Sequence, residues 1–221
     1  MNPEKFAKLC EERKSIRKYK KNFPPEKWIN DMLYCATCAP SPSNLQPVRF
    51  VRLKSDYIKK QIFQIMTETK DNYINTLKQK KNSEDKSSVS PKKIINRINY
   101  YFRFSSFMIN APIVFIVGTT RNKSGLIPYL IDAGLAKDNN YKEAELNISL
   151  GLAIKAFILQ AEAYGLGTCI LSAPMAFLPD LNNICQIDNI DLKCFITVGF
   201  PDEIPKKTHR KPIDEILREL S

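Results

Sequence analysis

The chain has 221 residues, 43% of them hydrophobic, and carries 34 Lys and Arg against 23 Asp and Glu, a formal net charge of +11. That length and apolar content suit one domain with its own core, and the six cysteines are not spaced as a small disulfide framework. The basic excess fits phosphate-bearing or other anionic ligands, or simply a lysine-rich surface.

The opening MNPEKFAKLCEERK has no apolar run. No secretory signal is read there, and a cytoplasmic location with reduced thiols is expected. Asn2 caps a first helix with Pro3 at its first position, and Phe6, Leu9 and Cys10 line one face. EERKSIRKY then leaves the helix. In an extended stretch Arg13, Ser15 and Arg17 point the same way, with Lys14 between them. Two guanidinium groups flanking a hydroxyl suit a phosphate, because Arg offers a fork of donors matched to anionic oxygens. A solvated basic surface is the plainer alternative.

Pro24-Pro25 starts a second helix, with Trp28, Met32, Cys35 and Ala39 on one side. Cys35 and Cys38 have redox or metal spacing, but no second pair follows and His209 is the sole histidine. They read as small packed side chains, and no metal site is expected. Pro40-Ser41-Pro42-Ser43-Asn44-Leu45-Gln46-Pro47 breaks the helix. Its prolines stiffen a loop whose Ser, Asn and Gln side chains can read the amide-like edge of a heterocycle, though an ordinary turn has the same composition. Val48 to Leu53 is a strand.

Ser55 caps a third helix with Ile58, Ile62 and Ile65 inward. Lys78 to Arg97 is rich in Lys and poor in large apolar residues, which predicts a mobile excursion or lid within a variable region at about 68–110. Ile94 to Ile109 resumes helical spacing with Tyr100, Tyr101, Phe102, Phe104 and Phe107. Pro112 to Val117 is a central strand, and Gly118 to Tyr141 a loop with one short helix. Leu146 to Tyr164 is apolar on nearly every side, which predicts a helix buried all round, in a core or a membrane. Lys155 and Glu162 inside it favour a core, part of it covered by a partner subunit. Gly165 and Gly167 end it, and Thr168 to Leu171 follows as a strand. A brief helix at Pro179 to Cys185, a central strand at Cys194 to Gly199 and an amphipathic helix at Ile213 to Leu220 complete the chain. Helices outnumber strands without strict alternation, so the fold class is α+β, one domain over 1–221.

No Gly-x-Gly-x-x-Gly fingerprint, Walker loop, Ser-His-Asp set or paired carboxylates can be read. No catalytic side chain is named, and chemistry is expected from a cofactor. A third basic cluster, Lys206 to Lys211, offers a second hand for phosphate or is a basic tail.

These clusters, in this order around the long helix, resemble the FMN-dependent nitroreductase family. ERKSIRKY resembles its Arg-x-Ser-x-Arg opening, and APSPSNLQPVRF its Ala-Pro-Ser-x-x-Asn-x-Gln-Pro-Trp-x-Phe loop and strand, with Val48 in place of the Trp. LGLAIKAFILQAEAYGLGTCILSAP resembles its long helix and Gly-Leu-Gly-Thr turn. TVGFPDEIPKKTHRKPIDEI resembles its Gly-x-Pro and terminal Arg-Lys-Pro. The resemblance implies a central, mostly antiparallel sheet flanked by helices and an intertwined homodimer with FMN at the subunit interface. It implies that NADH or NADPH gives hydride to FMN, which then reduces a small-molecule acceptor, a nitroaromatic or quinone, in a two-step ping-pong cycle. Relatives that dehalogenate aromatic rings, reduce activated double bonds or fragment flavin share that frame, and a flavin-binding protein without turnover is a further alternative. By position, Arg13 and Ser15 hold the phosphate and ribityl chain, Arg17 sits near flavin N1 and O2, and Lys14 touches the flavin edge. Ser41, Pro42, Ser43 and Asn44 line the flavin from the partner subunit, with Gln46 supporting the loop. Ser172 and Ala173 bring backbone N–H groups near flavin N5, and Arg210 closes on the phosphate with Lys207 in a lesser role. No nucleic-acid or membrane partner is expected, since the basic residues are dispersed and form no recognised module.

Overall fold

The apolar run Ile113–Thr120 becomes a strand buried along nearly its whole length, because both its edges pair and both its faces are covered. The computed structural model describes residues 2–80, 89–120, 126–137, 141–206 and 208–220. Its centre is a four-stranded antiparallel sheet of order β1-β2-β4-β3, formed by β1 (Val48–Arg52), β2 (Ile113–Thr120), β3 (Gly167–Leu171) and β4 (Ile190–Gly199). The expected α+β class and the central strands are therefore found.

Side chains alternate across this sheet. Ile113, Phe115, Val117, Ile196 and Val198 face α2 (Glu26–Thr37) and α6 (Tyr141–Ala163). Val114, Ile116, Phe195 and Leu171 face α3 (Asp56–Lys80), α4 (Pro91–Ser106) and α7 (Leu181–Cys185). Two layers of helix thus enclose one sheet. Helix α1 (Pro3–Glu12) is capped by the Asn2 side chain, which accepts from Glu4 N–H. Helix α5 (Ile127–Asp132) is the short helix expected before α6.

Several expectations need correction. Helix α6 is apolar all round but not buried all round: Phe157 and Ala161 are fully covered, whereas Ile148 is 61% and Leu152 42% exposed. Its composition reflects one face packed on the sheet and a second apolar face left open. Over Glu143–Ala163 this helix is long and apolar enough to cross a membrane. Of the excursion expected at Lys78 to Arg97, the described residues are helical at both ends: 78–80 close α3 and 91–97 open α4, and α3 is anchored farther up by the fully buried Ile62 and Met66. Residues 81–88, the centre of the lysine-rich stretch, lie outside the described residues. Helix α2 buries Ile29, Met32 and Ala36, a face rotated by one residue from the expected one. Trp28 instead lies at the rim, stacked on Tyr164 with ring centroids 4.7 Å apart. The expected helix at Ile213 to Leu220 shrinks to a 3-10 turn, Ile213–Glu215. Its apolar residues Ile213, Ile216, Leu217 and Leu220 are all exposed, and a short helix with no packing surface gains too little to offset nucleation.

Candidate functional site

The basic opening segment is held as an added strand. Arg13 closes α1, its N–H bonded to Leu9 O. Beyond it the chain runs extended, and Ser15 bridges Thr168 of β3 in parallel, with Ile16 N–H donating to Thr168 O at 2.9 Å. Ile16 turns inward against Gly167, where a Cβ would sit 2.5 Å from the Ile16 side chain. Glycine is required there by close approach, not by its backbone angles. The Tyr19 hydroxyl then donates to Ile16 O and is paired with Thr197 Oγ1 of β4 at 2.7 Å. Burial pushes the Tyr19 phenol far above its ordinary value.

With Ile16 inward, Arg13, Ser15 and Arg17 share the other side, as the alternation predicts. Arg13, Ser15 and Arg17 all lie close enough to the Cys169 thiol to favour its ionised form. Burial still raises that thiol, so Cys169 is a packed neutral group. Glu203, from the turn after β4, accepts the backbone N–H groups of both Arg17 and Lys18. This carboxylate was not singled out from the sequence, and its only signal there is its place two residues after Pro201.

Lys14 faces a different groove, which it lines with Glu11, Thr208, His209 and Arg210. The structure therefore brings together two of the expected cofactor-binding side chains, Lys14 and Arg210. Lys207 lies outside the described residues. Among the described residues, none of Arg13, Lys14, Arg17 or Arg210 forms an ion pair. Four cationic side chains with no ion pair among the described residues are a donor set suited to a dianionic group.

The two long helices border this site. Arg17 Cζ lies 5.7 Å from the ring centroid of Phe104 on α4. Phe102 of α4 packs edge-on against Phe177, and Tyr73 of α3 donates to Ala176 O at 3.0 Å. Both contacts fall on the 3-10 turn Ala173–Phe177. Ser172 and Ala173 thus lie at the end of β3, beside the α3–α4 pair, with Ser172 exposed.

The Pro40–Pro47 loop is elsewhere. It is strained: Ser43, Asn44 and Gln46 have φ of 51°, 52° and 49°, a left-handed region that side chains other than Gly seldom occupy. Pro42–Asn44 form a 3-10 turn. Ser41 Oγ accepts from Gln46 N–H at 2.9 Å, and Gln46 Nε2 donates to Asn44 Oδ1 at 3.0 Å. Gln46 therefore supports the loop, as expected. Beside it Ser41 and Gln46 help line a mainly apolar cavity of about 250 Å³ with Ala36, Phe50 and Ala153. Among the described residues, no hydrogen bond or shared cavity joins this loop to the basic segment. The Cys35 thiol donates to Gln160 Oε1, and among the described residues no three or more His, Cys, Asp or Glu are gathered as a metal ion would need.

Comparison with known proteins gives a consistent picture. The profile of the nitroreductase family matches residues 10–200. A Caenorhabditis elegans protein named iodotyrosine dehalogenase 1 homolog is 24% identical over 98% of this chain, which spans 62% of that protein's length. A BluB-like flavoprotein from Clostridium difficile superposes with TM-score 0.79 at 22% identity, each chain covered in full. Iodotyrosine deiodinase bound to FMN and 3-iodo-L-tyrosine superposes with TM-score 0.67 at 20% identity, covering 98% of this chain and 99% of that one. Nitroreductase A from Vibrio parahaemolyticus superposes with TM-score 0.69 at 15% identity, covering this chain in full and 77% of its own.

Proposed function

This chain belongs to the nitroreductase family, and from that premise we propose that it is an FMN-dependent oxidoreductase that takes hydride from NADH or NADPH and reduces a small aromatic or quinone-like acceptor. The observation that carries the reading is a pair of adjoining cationic groups with no ion pair among the described residues: Arg13 and Arg17 beside Ser15 at the β3 edge, and Lys14 with Arg210 in the neighbouring groove. FMN, when bound, accepts two electrons from the nicotinamide and returns them to the acceptor.

The chain's own residues bind and orient. Arg13 and Ser15 hold the phosphate and ribityl chain, and Arg210 and Lys14 close on the phosphate from the tail side. Lys207 has a lesser share in the same role. Arg17 stands at the N1 and O2 edge, where a fixed cation favours the negative charge of the reduced ring. Ser172 and Ala173 would bring backbone N–H groups near flavin N5. No side chain among the described residues is assigned as a fixed proton donor, and solvent or a ribityl hydroxyl would supply that proton.

Ser41, Pro42, Ser43 and Asn44 complete the site from a second subunit. Their distance from Arg17 within one chain supports this, as does the open apolar face of α6 around Ile148 and Leu152. A face of that kind is better covered by a second copy than by lipid, since Ile154, Phe157 and Ala161 on the same helix belong to the protein core. Six free cysteines fit a reducing cytoplasmic setting, where the nicotinamide donors are also found. Nucleic-acid binding plays no part in this reading.

A second reaction stays open within the same site. Similarity to an iodotyrosine dehalogenase homolog over nearly the whole chain favours reductive removal of halogen from an aromatic ring as the runner-up. Anaerobic turnover of FMN-loaded protein with NADH or NADPH separates the two. A nitroaromatic or quinone that is consumed with stoichiometric nicotinamide oxidation supports the proposal. Halide release from 3-iodo-L-tyrosine, with neither of those acceptors turned over, favours the runner-up. No oxidation of either nicotinamide with any acceptor defeats both.

A further inference from the structure

Helix α4 reaches the basic segment at Phe104. Arg17 Cζ lies 5.7 Å from the Phe104 ring centroid, within the range of a cation–π contact. The guanidinium of Arg103 lies 5.8 Å from the same centroid, and Tyr100 packs on Phe104 with centroids 4.6 Å apart. Arg17 makes no ion pair among the described residues, and its side chain is otherwise exposed. A long exposed Arg samples many rotamers, and its field at any one point is averaged away. A ring beneath it limits that sampling and removes water from one side, which strengthens the field it exerts.

We propose that Phe104 is a positioning residue that pins the Arg17 guanidinium at the flavin edge and thereby sets the reduction potential of the bound cofactor. The inference rests on the proposed FMN site. It assigns an electrostatic task to α4, whose aromatic run the sequence marked only as helical. The Phe104 ring does not itself touch the reacting atoms. It acts through Arg17.

Phe104→Leu keeps an apolar side chain of similar size and removes the π face, and Phe104→Tyr keeps the face. Both are loaded with FMN, and their midpoint potentials are measured against reference dyes under argon. Phe104→Leu is expected to disfavour the reduced form roughly two- to tenfold, up to about 30 mV more negative for a two-electron couple. Phe104→Tyr is expected to return to the wild-type value. A second arm needs no cofactor: urea unfolding of the apoprotein with Phe104→Leu, Arg17→Met and the double variant. The two substitutions are expected to be non-additive. Equal potentials in wild type and Phe104→Leu, or additive unfolding energies, would overturn the proposal. A wild-type protein that takes up no FMN fails the functional reading itself, and the unfolding cycle then shows whether the Arg17–Phe104 contact exists without it.

Discussion

Ser15 and Val48 stand at opposite corners of the sheet. Ser15 bridges Thr168 outside β3, one edge strand, in register with Val198 and Ile113 at the start of β2. Val48 opens β1, the other edge strand, and pairs with Thr119 at the far end of β2. Across the sheet alone the separation is roughly 19 Å, at about 4.8 Å per strand spacing. The basic segment and the Pro40–Pro47 loop therefore cannot both border one isoalloxazine ring within a single chain. If both serve one cofactor, two chains build each site.

The open face of α6 is the natural contact. Ile148→Asp places a charge on that face without disturbing the core, since Ile148 is already exposed in the single chain. The variant is expected to sediment as a folded monomer, with FMN affinity at least roughly a hundredfold weaker, as for loss of an interface hot spot. Wild-type protein is expected to sediment as a dimer. Analytical ultracentrifugation with FMN titration checks both.

Gly167→Ala tests how the basic segment is seated. The new Cβ would lie 2.5 Å from Ile16 Cγ1, so Ile16 and its neighbours must shift. Overpacking of this kind costs about 1–3 kcal/mol of stability. FMN affinity is expected to fall as well, because Ser15 and Arg17 move with Ile16. Denaturant unfolding and FMN titration of the same preparation read the two effects separately.

Glu203→Ala removes the acceptor for the Arg17 and Lys18 N–H groups. The segment then loses its anchor on the tail side. FMN binding is expected to weaken roughly tenfold, in line with loss of hydrogen bonds to a charged acceptor. Glu203→Gln keeps an acceptor oxygen and is expected to fall between the two, by fluorescence titration of FMN.

Tyr19 gives the fold an alkaline limit. Its folded phenol is raised because burial disfavours the phenolate. The stabilisation is fully present below the ordinary phenol value near 10 and is lost as pH rises from there toward the folded value. Tyr19→Phe removes the titrating group together with the bonds to Ile16 O and Thr197, at about 1 kcal/mol near neutrality. Thermal unfolding between pH 8 and pH 11 is expected to fall more steeply for wild type than for Tyr19→Phe.

What the sequence made legible follows from how locally each feature is encoded. The runs PIVFIV and CFITVG are apolar at consecutive positions, which marks strands covered on both faces, and they are the two inner strands, β2 and β4. The alternation of Arg13, Ser15 and Arg17 is likewise written in consecutive residues. Helix α6 was legible as apolar all round, but which of its faces this chain covers was not, because an apolar face looks the same whether its cover belongs to the same chain or to another. Helices α3 and α4 were legible at Ser55 and from Ile94, but the lysines between them hid how far each extends, since the contacts that order them, through Ile62, Met66, Tyr73 and Phe102, are distant in sequence. The roles of Glu203 and Phe104 depend wholly on such distant contacts, and no local pattern marks them.

Subunit mixing tests the central claim most directly. One chain carries Arg17→Ala, the other Asn44→Ala, and each alone is expected to bind FMN poorly. Co-refolded in equal amounts, they form mixed dimers in which one site has both an intact basic segment and an intact loop. The account predicts that about a quarter of all sites regain tight FMN binding, as follows from random pairing in a two-fold dimer. Recovery of no sites on mixing, or tight binding by an isolated monomer, would contradict it.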